Sequence, residues 1–357
     1  MAMNKGEWSE VYTFLKLLAD GKLYAADADL NKISEIYYPI LQILRDENGA
    51  NLIFDRQSEI KIVDVSGKEL LCVPLHDFKN KSSELLAEIK NAKAASFEVP
   101  LIENFMRSIH VKQLKAKSQE KRDITIVVHD IFTGYNPTLG FSIKSKLGGA
   151  STLLNASGAT NFIFKLTRPL SEEQTAEVNG IDSKTKIRDR ILKIESFGSS
   201  LEFYKMQSEN FERNLVMIDS KFPEILSQVL KNFYKGEANT ISDAVEKLNI
   251  INPLGYDVSS NHPFYAYKIK NFLTDCALGM TPATLWTGKY DANGGYIIVK
   301  EDGEILCYHI YNRNEFQEYL FSNTKLETPS STKHGFATVY EEDGTNYFKL
   351  NLQIRFK

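Results

Sequence analysis

The amino-acid sequence predicts an α+β protein, in which helices and mostly antiparallel strands occupy different stretches of the chain. Apolar residues recur at helical spacing near the start of the chain and between residues 171 and 279. Short strand-like runs bounded by turn residues occur between residues 51 and 74 and again over the last 65 residues. No internal repeat, low-complexity tract or clear linker interrupts this arrangement.

The first half of the chain predicts helices around a small meander. An apolar stripe predicts a helix from Glu7 to Gly21, and a second helix is predicted from Ile33 to Leu44. The runs "NLIFD", "EIKIVDV" and "KELLCVPL" predict three antiparallel strands. Two more helices are predicted over Ser82–Ala94 and Leu101–Ile109.

The second half begins with a predicted hairpin, "DITIVVHD" and "FSIKS", joined by the turn residues "TGYNPTLG", and a further strand, "NFIFKL", follows. Residues 171–279 predict helices, with a break at Pro223 because proline lacks the amide hydrogen that a helix interior requires. The final strands include "GYIIVK", "EILCYHIY" and "YFKLNLQIRF". We therefore expect a core over residues 1–170 and a helical and β region over residues 171–357, packed as one continuous globular unit.

Composition restricts the class of protein. Of the 357 residues, 43% are hydrophobic and 25% are charged, as in soluble globular proteins. No run of about 18 apolar residues predicts a membrane span, and the first residues do not form a secretory signal. Three widely spaced cysteines argue against a disulfide framework and a cysteine-based zinc site. We expect a cytoplasmic protein.

The overall charge of the protein does not favour binding of a polyanion, because the formal net charge is −3. Binding of nucleic acid would have to use local basic segments. Residues 107–122 contain six Lys or Arg against one Glu, and "KTKIRDRILK" at 184–193 predicts a basic helix. For 107–122 a solvated connector is the equal alternative. For 184–193 a solvated helix face is preferred over phosphate binding.

The predicted hairpin brings an acid and a lysine together. In antiparallel pairing the start of the first strand lies beside the end of the second, so Asp123 falls near Lys144, and Ser142 shares a face with that lysine. A carboxylate and an ammonium at a strand end can hold a divalent cation and a water next to a phosphate. Asp130 is the alternative acid, although it lies nearer the turn. An ordinary hairpin with a surface lysine is the competing interpretation.

This constellation resembles the PD-(D/E)XK nuclease core, with "RD" at 122–123 and "SIK" at 142–144. Ser142 stands where that pattern has an acid, so the second metal-binding carboxylate must come from elsewhere. In that fold a glutamate of the first helix often points into the site, which makes Glu10 the first candidate and Glu7 the second. Both acids also suit a helix N-terminus for electrostatic reasons alone.

Three longer blocks resemble the HpaII family of type II restriction endonucleases: "NKGEWSEVYTFLKLLADGKLYAADADLNKI", "GFSIKSKLGGASTLLNASGATNFIF" and "TPSSTKHGFATVY" followed by "YFKLNLQIRF". They lie at both ends and in the centre of the chain. The resemblance implies a Mg²⁺-dependent endonuclease that cuts double-stranded DNA at 5′-CCGG-3′, and a companion cytosine methyltransferase that protects host DNA. It assigns metal binding to Asp123 and Glu10, and water activation to Lys144.

Two loops are candidates for DNA contact. The glycine-rich segment after the catalytic strand contributes Lys146, Ser151, Thr152 and Asn155, and the later loop contributes Ser330, Ser331, Thr332, Lys333 and His334. Hydroxyls and cations in such loops suit phosphates and guanine edges, and a polar hairpin entry is the alternative for the later loop.

Other functions remain open at this stage. A structure-specific repair nuclease of the same fold is one alternative. A DNA-binding protein that has lost catalysis is another, since Ser142 replaces an acid. The twofold symmetry of a palindrome favours a homodimer, although some enzymes with short sites act as monomers.

Overall fold

The computed structural model describes residues 2–47, 49–114, 121–131 and 133–357, so part of the basic segment at 107–122 lies outside the described residues. The strands are β1 (Lys22–Ala26), β2 (Lys32–Glu47), β3 (Ala50–Arg56), β4 (Glu59–Asp64), β5 (Glu69–Pro74), β6 (Ile124–Val128), β7 (Thr138–Ser145), β8 (Thr152–Leu154), β9 (Asn161–Leu166), β10 (Leu201–Met206), β11 (Gly295–Val299), β12 (Ile305–His309), β13 (Thr324–Leu326), β14 (Val339–Glu342), β15 (Thr345–Asn351) and β16 (Ile354–Phe356).

The helices are α1 (Lys5–Asp20), α2 (Leu75–Asn91), α3 (Pro100–Ser108), α4 (Glu172–Gly180), α5 (Lys186–Ser196), α6 (Glu209–Ile218), α7 (Phe222–Tyr234), α8 (Ile241–Ile251), α9 (Phe264–Leu278), α10 (Arg313–Asn323) and α11 (Ser331–His334). Short 3₁₀ turns cover Gly158–Thr160 and Ile310–Asn312. The prediction of a protein that mixes helices with largely antiparallel sheets is confirmed at this level.

By its internal contacts the chain divides into two compact units. The first contains residues 1–151, 277–279 and 290–319, and the second contains residues 152–276, 280–289 and 320–357. The boundary in the first half thus falls at Ser151, and residues 290–319 of the second half return to the first unit.

The first unit is built on a nine-stranded sheet in which six strands close into a ring. The strand order is β1-β12-β11-β7-β6-β2, and β2 pairs again with β1 to complete a barrel-like closure. The meander β3-β4-β5 extends from the outer part of β2, as the sequence predicts. A register shift between Ile40 and Gln42 marks where β2 pairs with β6. Such bulges bend a strand and so let one long strand serve two parts of a sheet.

Helix α1 packs against this sheet and contacts β7, the strand that carries Ser142 and Lys144. Asn4 and Glu7 form a capping box at its start, and Gly21 ends it with φ 68°. Its buried face, which includes Trp8 and Leu15, shares a core with Phe141 and Ile143 of β7. The hydroxyls of Ser9 and Ser145 lie 2.7 Å apart, so α1 is tied directly to the end of β7.

The predicted helix over Ile33–Leu44 is wrong, because these residues lie within strand β2. The stretch contains several β-branched and aromatic residues and places Pro39 at its centre. Proline removes one helical hydrogen bond and disfavours the helical conformation of the preceding residue. Pairing with β1, β6 and β3 satisfies the backbone of this segment instead.

The second unit contains a four-stranded sheet, β10-β9-β15-β14, and a three-stranded sheet, β13-β16-β8. Its helices include α4–α8, which agrees with the helical prediction for residues 171–279. The predicted break at Pro223 is confirmed, since α6 ends at Ile218 and Pro223 stands in the first turn of α7.

Candidate active site

The hairpin of β6 and β7 is antiparallel as predicted, with Ile124 opposite Phe141. Asp123 immediately precedes β6 and continues the ladder, since its backbone N–H donates to the carbonyl of Phe141 over 2.8 Å. Its carboxylate turns toward β7. There Oδ2 accepts hydrogen bonds from the backbone N–H of Ile143 at 2.6 Å and from the hydroxyl of Ser142 at 3.1 Å. The start of one strand therefore meets the end of the other.

Lys144 lies two positions beyond Ser142 and therefore on the same face of β7. The alternate residues, Phe141 and Ile143, point into the core on the other side. Parallel strand β11 places Tyr296 directly beside Ser142, and the Lys144 ammonium lies 5.6 Å from the centre of the Tyr296 ring. In the described part of the chain no carboxylate forms a salt bridge with Lys144. An ammonium and a hydroxyl thus share one face, with the Asp123 carboxylate bound to that hydroxyl.

Tyr296 could not be expected at this site from the sequence. It is 2% exposed, and its ring packs edge-on against Phe316 at 5.1 Å. Only the pairing of β11 with β7 brings it beside Ser142. These strands are about 150 residues apart in the sequence, and no local pattern indicates such a pairing.

The two glutamates of α1 have different surroundings. Glu7 completes the capping box, where its Oε2 accepts the backbone N–H of Asn4 at 2.8 Å. Glu10 is half-buried and lies near Arg45 of β2. Burial lowers the pKa of Arg45, while the negative charges of Glu47 and Glu10 oppose that effect. Glu7 therefore has a clear structural role, and Glu10 adds negative charge near the half-buried guanidinium of Arg45.

Asp130 is buried and forms hydrogen bonds within the hairpin turn. It is 2% exposed, and its Oδ2 accepts hydrogen bonds from the hydroxyls of Thr133 and Tyr311, both at 2.7 Å. Its carbonyl oxygen also accepts the backbone N–H of Gly134. Asp130 holds the turn of the hairpin together, whereas Asp123 contacts the strand that carries Lys144.

The Asp123 carboxylate is a ligand type that suits a hard cation, since Mg²⁺ is commonly bound by one or two carboxylates while water and substrate phosphate complete its shell. Among residues 2–47, 49–114, 121–131 and 133–357, no group of three or more His, Cys, Asp or Glu side chains is arranged to hold a metal ion. At the β6–β7 junction, the Asp123 carboxylate and the Ser142 hydroxyl are oxygen groups that could serve as ligands.

The DNA-contact candidates lie in both units. Lys146 is exposed, and its backbone N–H donates to Val299, which extends the pairing of β7 with β11. Ser151 also belongs to the first unit, whereas Thr152 begins β8 and Asn155 is exposed just after it.

The candidates at 330–334 form a short turn in the second unit. The Ser330 hydroxyl accepts the backbone N–H of Lys333 at 3.3 Å, and the carbonyl of His334 accepts the side-chain amide of Asn161 at 2.9 Å. Thr332 and Lys333 are exposed, and Ser331 is half-buried. Ser330 and His334 therefore form hydrogen bonds within the protein, whereas the side chains of Thr332 and Lys333 are exposed to solvent.

A family model described as HpaII restriction endonuclease matches residues 4–356. The chain belongs to the HpaII restriction endonuclease family. It is 48% identical to the type II restriction enzyme HpaII of Haemophilus parainfluenzae, over 99% of this chain and 98% of that protein. No solved structure matches the chain.

Membership of this family confirms the predicted resemblance and the prediction of a type II restriction endonuclease. Within the described part of the chain, no helix has both the length and the apolar character to cross a bilayer. The family match spans both compact units, so each of them is part of the shared architecture.

Proposed function

We propose that the enzyme hydrolyses phosphodiester bonds in double-stranded DNA at 5′-CCGG-3′, with Mg²⁺ as cofactor and a catalytic site of the PD-(D/E)XK type formed by Asp123 and Lys144. The observation that carries this proposal is the junction of β6 and β7, where the Asp123 carboxylate contacts Ser142 and Ile143 and the next residue is Lys144. The name of the Haemophilus relative supports a specific target site.

The roles follow from the chemistry of the side chains. Asp123 would bind the cation, which when bound lowers the pKa of a coordinated water and neutralises phosphate charge. Ser142 donates a hydrogen bond that orients the Asp123 carboxylate. Lys144 would orient the attacking water or stabilise negative charge developing on the scissile phosphate, with cleavage leaving 5′-phosphate and 3′-hydroxyl ends.

Glu10 is proposed as the acid that replaces the one absent at Ser142. It is half-buried on the helix that is tied to β7 through Ser9 and Ser145. Glu10→Ala should retain DNA binding and lose most Mg²⁺-dependent cleavage. A variant with full cleavage would show that Ser142 needs no such replacement, and would leave the roles of Asp123 and Lys144 untouched.

The decisive experiment digests plasmid DNA in Mg²⁺ and sequences the ends of the products. Common ends within one short palindrome are expected. Asp123→Asn and Lys144→Ala should each reduce the cleavage rate roughly a thousandfold, because each removes a group that acts on transition-state charge. Asp77→Asn and Lys61→Ala make the same changes elsewhere in the first unit and should cleave at the normal rate.

Two other results would replace this proposal. Cleavage confined to forks, nicks or mismatches would indicate a structure-specific repair nuclease. Retention of DNA without cleavage would indicate a binding protein, the alternative that Ser142 favours. Full activity in folded Asp123→Asn and Lys144→Ala variants, checked by thermal unfolding, would exclude the β6–β7 junction as the active site.

The proposed target also implies partners. A palindrome presents identical half-sites, so a homodimer in which each protomer cuts one strand is proposed. A companion cytosine methyltransferase acting on the same sequence would protect the host, and both enzymes would act in the cytoplasm. The DNA contacts are proposed to come from Lys146, Ser151, Thr152 and Asn155 and from residues 330–334.

A further inference from the structure

A cleft of about 550 Å³ lies in the second unit, between the segment that leads into α5 and the segment before α11. Its lining contains three cations, Lys184, Lys186 and Arg188, and several hydroxyl side chains, among them Thr185, Ser331 and Thr332. Among the residues that line this cleft in the described part of the chain, none is a carboxylate. The cleft therefore offers donors and positive charge to a ligand.

Two of the three cations are not neutralised by a neighbour. Lys186 forms a salt bridge with Asp182 at 3.0 Å. For Lys184 and Arg188, no salt bridge occurs within residues 2–47, 49–114, 121–131 and 133–357. Both of these side chains are exposed. A ligand in the cleft would thus meet two exposed cations that form no salt bridge in the described part of the chain. The pKa of the Asp189 carboxyl is nevertheless lowered by hydrogen bonds from hydroxyls and, to a smaller extent, by the nearby charge of Arg188.

The nearest acid on α5 does not cancel this charge by direct contact. The Asp189 carboxylate accepts hydrogen bonds from the hydroxyls of Ser183 and Thr185. Gly236 lies beside the guanidinium, since a Cβ built at that position would be in ordinary contact with Arg188 Nη1 at 3.7 Å.

We propose that this cleft binds the phosphodiester backbone of duplex DNA through Lys184 and Arg188. This inference deepens the proposed function and rests on it. Arginine presents a planar fork of N–H donors that matches phosphate oxygens, and lysine adds a second point charge. Phosphate contacts of this kind position DNA without reading its sequence. Within the basic segment at 184–193, for which a solvated face was the preferred interpretation, Lys184 and Arg188 are therefore assigned a role in DNA binding.

The test compares two double variants with the same change in net charge. Lys184→Gln/Arg188→Gln alters the cleft. Lys193→Gln/Lys205→Gln removes two positive charges from the same unit outside the cleft. DNA binding is measured by fluorescence anisotropy without divalent metal, over a series of KCl concentrations, with one duplex that contains 5′-CCGG-3′ and one that does not.

Each lost phosphate contact makes the negative slope of log K against log salt shallower by about 0.9. The slope of the cleft variant should therefore be shallower by about 2. This variant should also bind both duplexes roughly tenfold more weakly at moderate salt. The control variant should stay close to the wild type. With saturating DNA and Mg²⁺, the cleft variant should still cleave at the normal rate, because its catalytic groups are intact.

An unchanged slope, or an equal change in both double variants, would overturn the assignment of the cleft. Binding of inorganic phosphate to the cleft without any displacement of DNA at constant ionic strength would also overturn it, because the cleft would then hold a free anion and not the DNA backbone. These outcomes are separate from failure of the proposed active site. That failure would appear as cleavage by Asp123→Asn and Lys144→Ala while the binding results remain as expected.

Discussion

Acid conditions should destabilise the enzyme through His309, the last residue of β12. The imidazole is 4% exposed and lies among aromatic rings, with ring centres 4.6 Å from Tyr38 and 4.6 Å from Tyr311. Its Nδ1 accepts the backbone N–H of Tyr311, while Nε2 has no partner in the described part of the chain. Burial lowers the pKa of His309 from 6.5 to about 4, although the negative charge of Asp130 opposes the shift.

The magnitude follows from linkage between protonation and folding. The unfolded chain binds a proton at this histidine below pH 6.5, whereas the folded protein resists protonation until about pH 4. Between these values the unfolded state holds more protons, so the free energy of unfolding falls as the pH falls. At about 1.36 kcal/mol per pH unit, the total loss is about 3 kcal/mol. Above pH 7 the imidazole of His309 is neutral in both the folded and the unfolded state, so its effect on the free energy of unfolding no longer changes with pH.

Urea denaturation of the wild type and of His309→Asn, at several pH values from 7.5 to 4.5, would measure this contribution. The variant lacks the titrating ring, and the carboxylates common to both proteins largely cancel in the difference. The stability advantage of the wild type should shrink by about 2.5 kcal/mol across this range. Parallel curves that differ by less than about 0.5 kcal/mol in their pH dependence would refute the reasoning.

Two further changes, one in each unit, test packing by urea denaturation, and a third substitution serves as a control. Gly295→Ala should cost about 3 kcal/mol or more, because φ is +112° and the new Cβ would lie 1.9 Å from the Tyr308 carbonyl oxygen. Gly149→Ala, where nothing lies within 4 Å, should change stability by less than about 0.5 kcal/mol, and an equal loss would contradict the steric argument. Asn351→Ala should cost about 2–4 kcal/mol, because this fully buried amide donates to the Asn161 side chain at 2.7 Å and the loss leaves buried polar groups unpaired; a loss below about 1 kcal/mol would contradict that.

The parts of the fold that depend on neighbouring residues could be predicted. The β6–β7 hairpin follows from alternation on either side of a turn, and alternation also places Ser142 and Lys144 on one face. The break at Pro223 is likewise local. Because the carboxylate of Asp123 stands at the end of a local hairpin, its contact with β7 could be anticipated from the sequence.

The parts of the fold that depend on pairing between distant segments could not be predicted from the sequence. Residues 33–44 carry apolar side chains at intervals that suit a helix, and only the partners on both sides make them a strand. The closure of the ring, the position of Tyr296, and the meeting of the 184–188 segment with Thr332 all join residues that are far apart in the sequence. Single-sequence patterns report the period of an element and carry no information about which element lies beside it.

The position of β11 beside β7 has a consequence for synthesis of the enzyme. The ribosome must release the chain beyond Val299 before β7, the strand that carries Lys144, can pair with β11 as its second neighbour. Contacts between such distant residues form late in folding. Most of the polypeptide is therefore made before the strand that carries Lys144 is enclosed on both sides. A cell producing a DNA-cutting enzyme would thus carry incomplete chains whose proposed active strand still has an open edge.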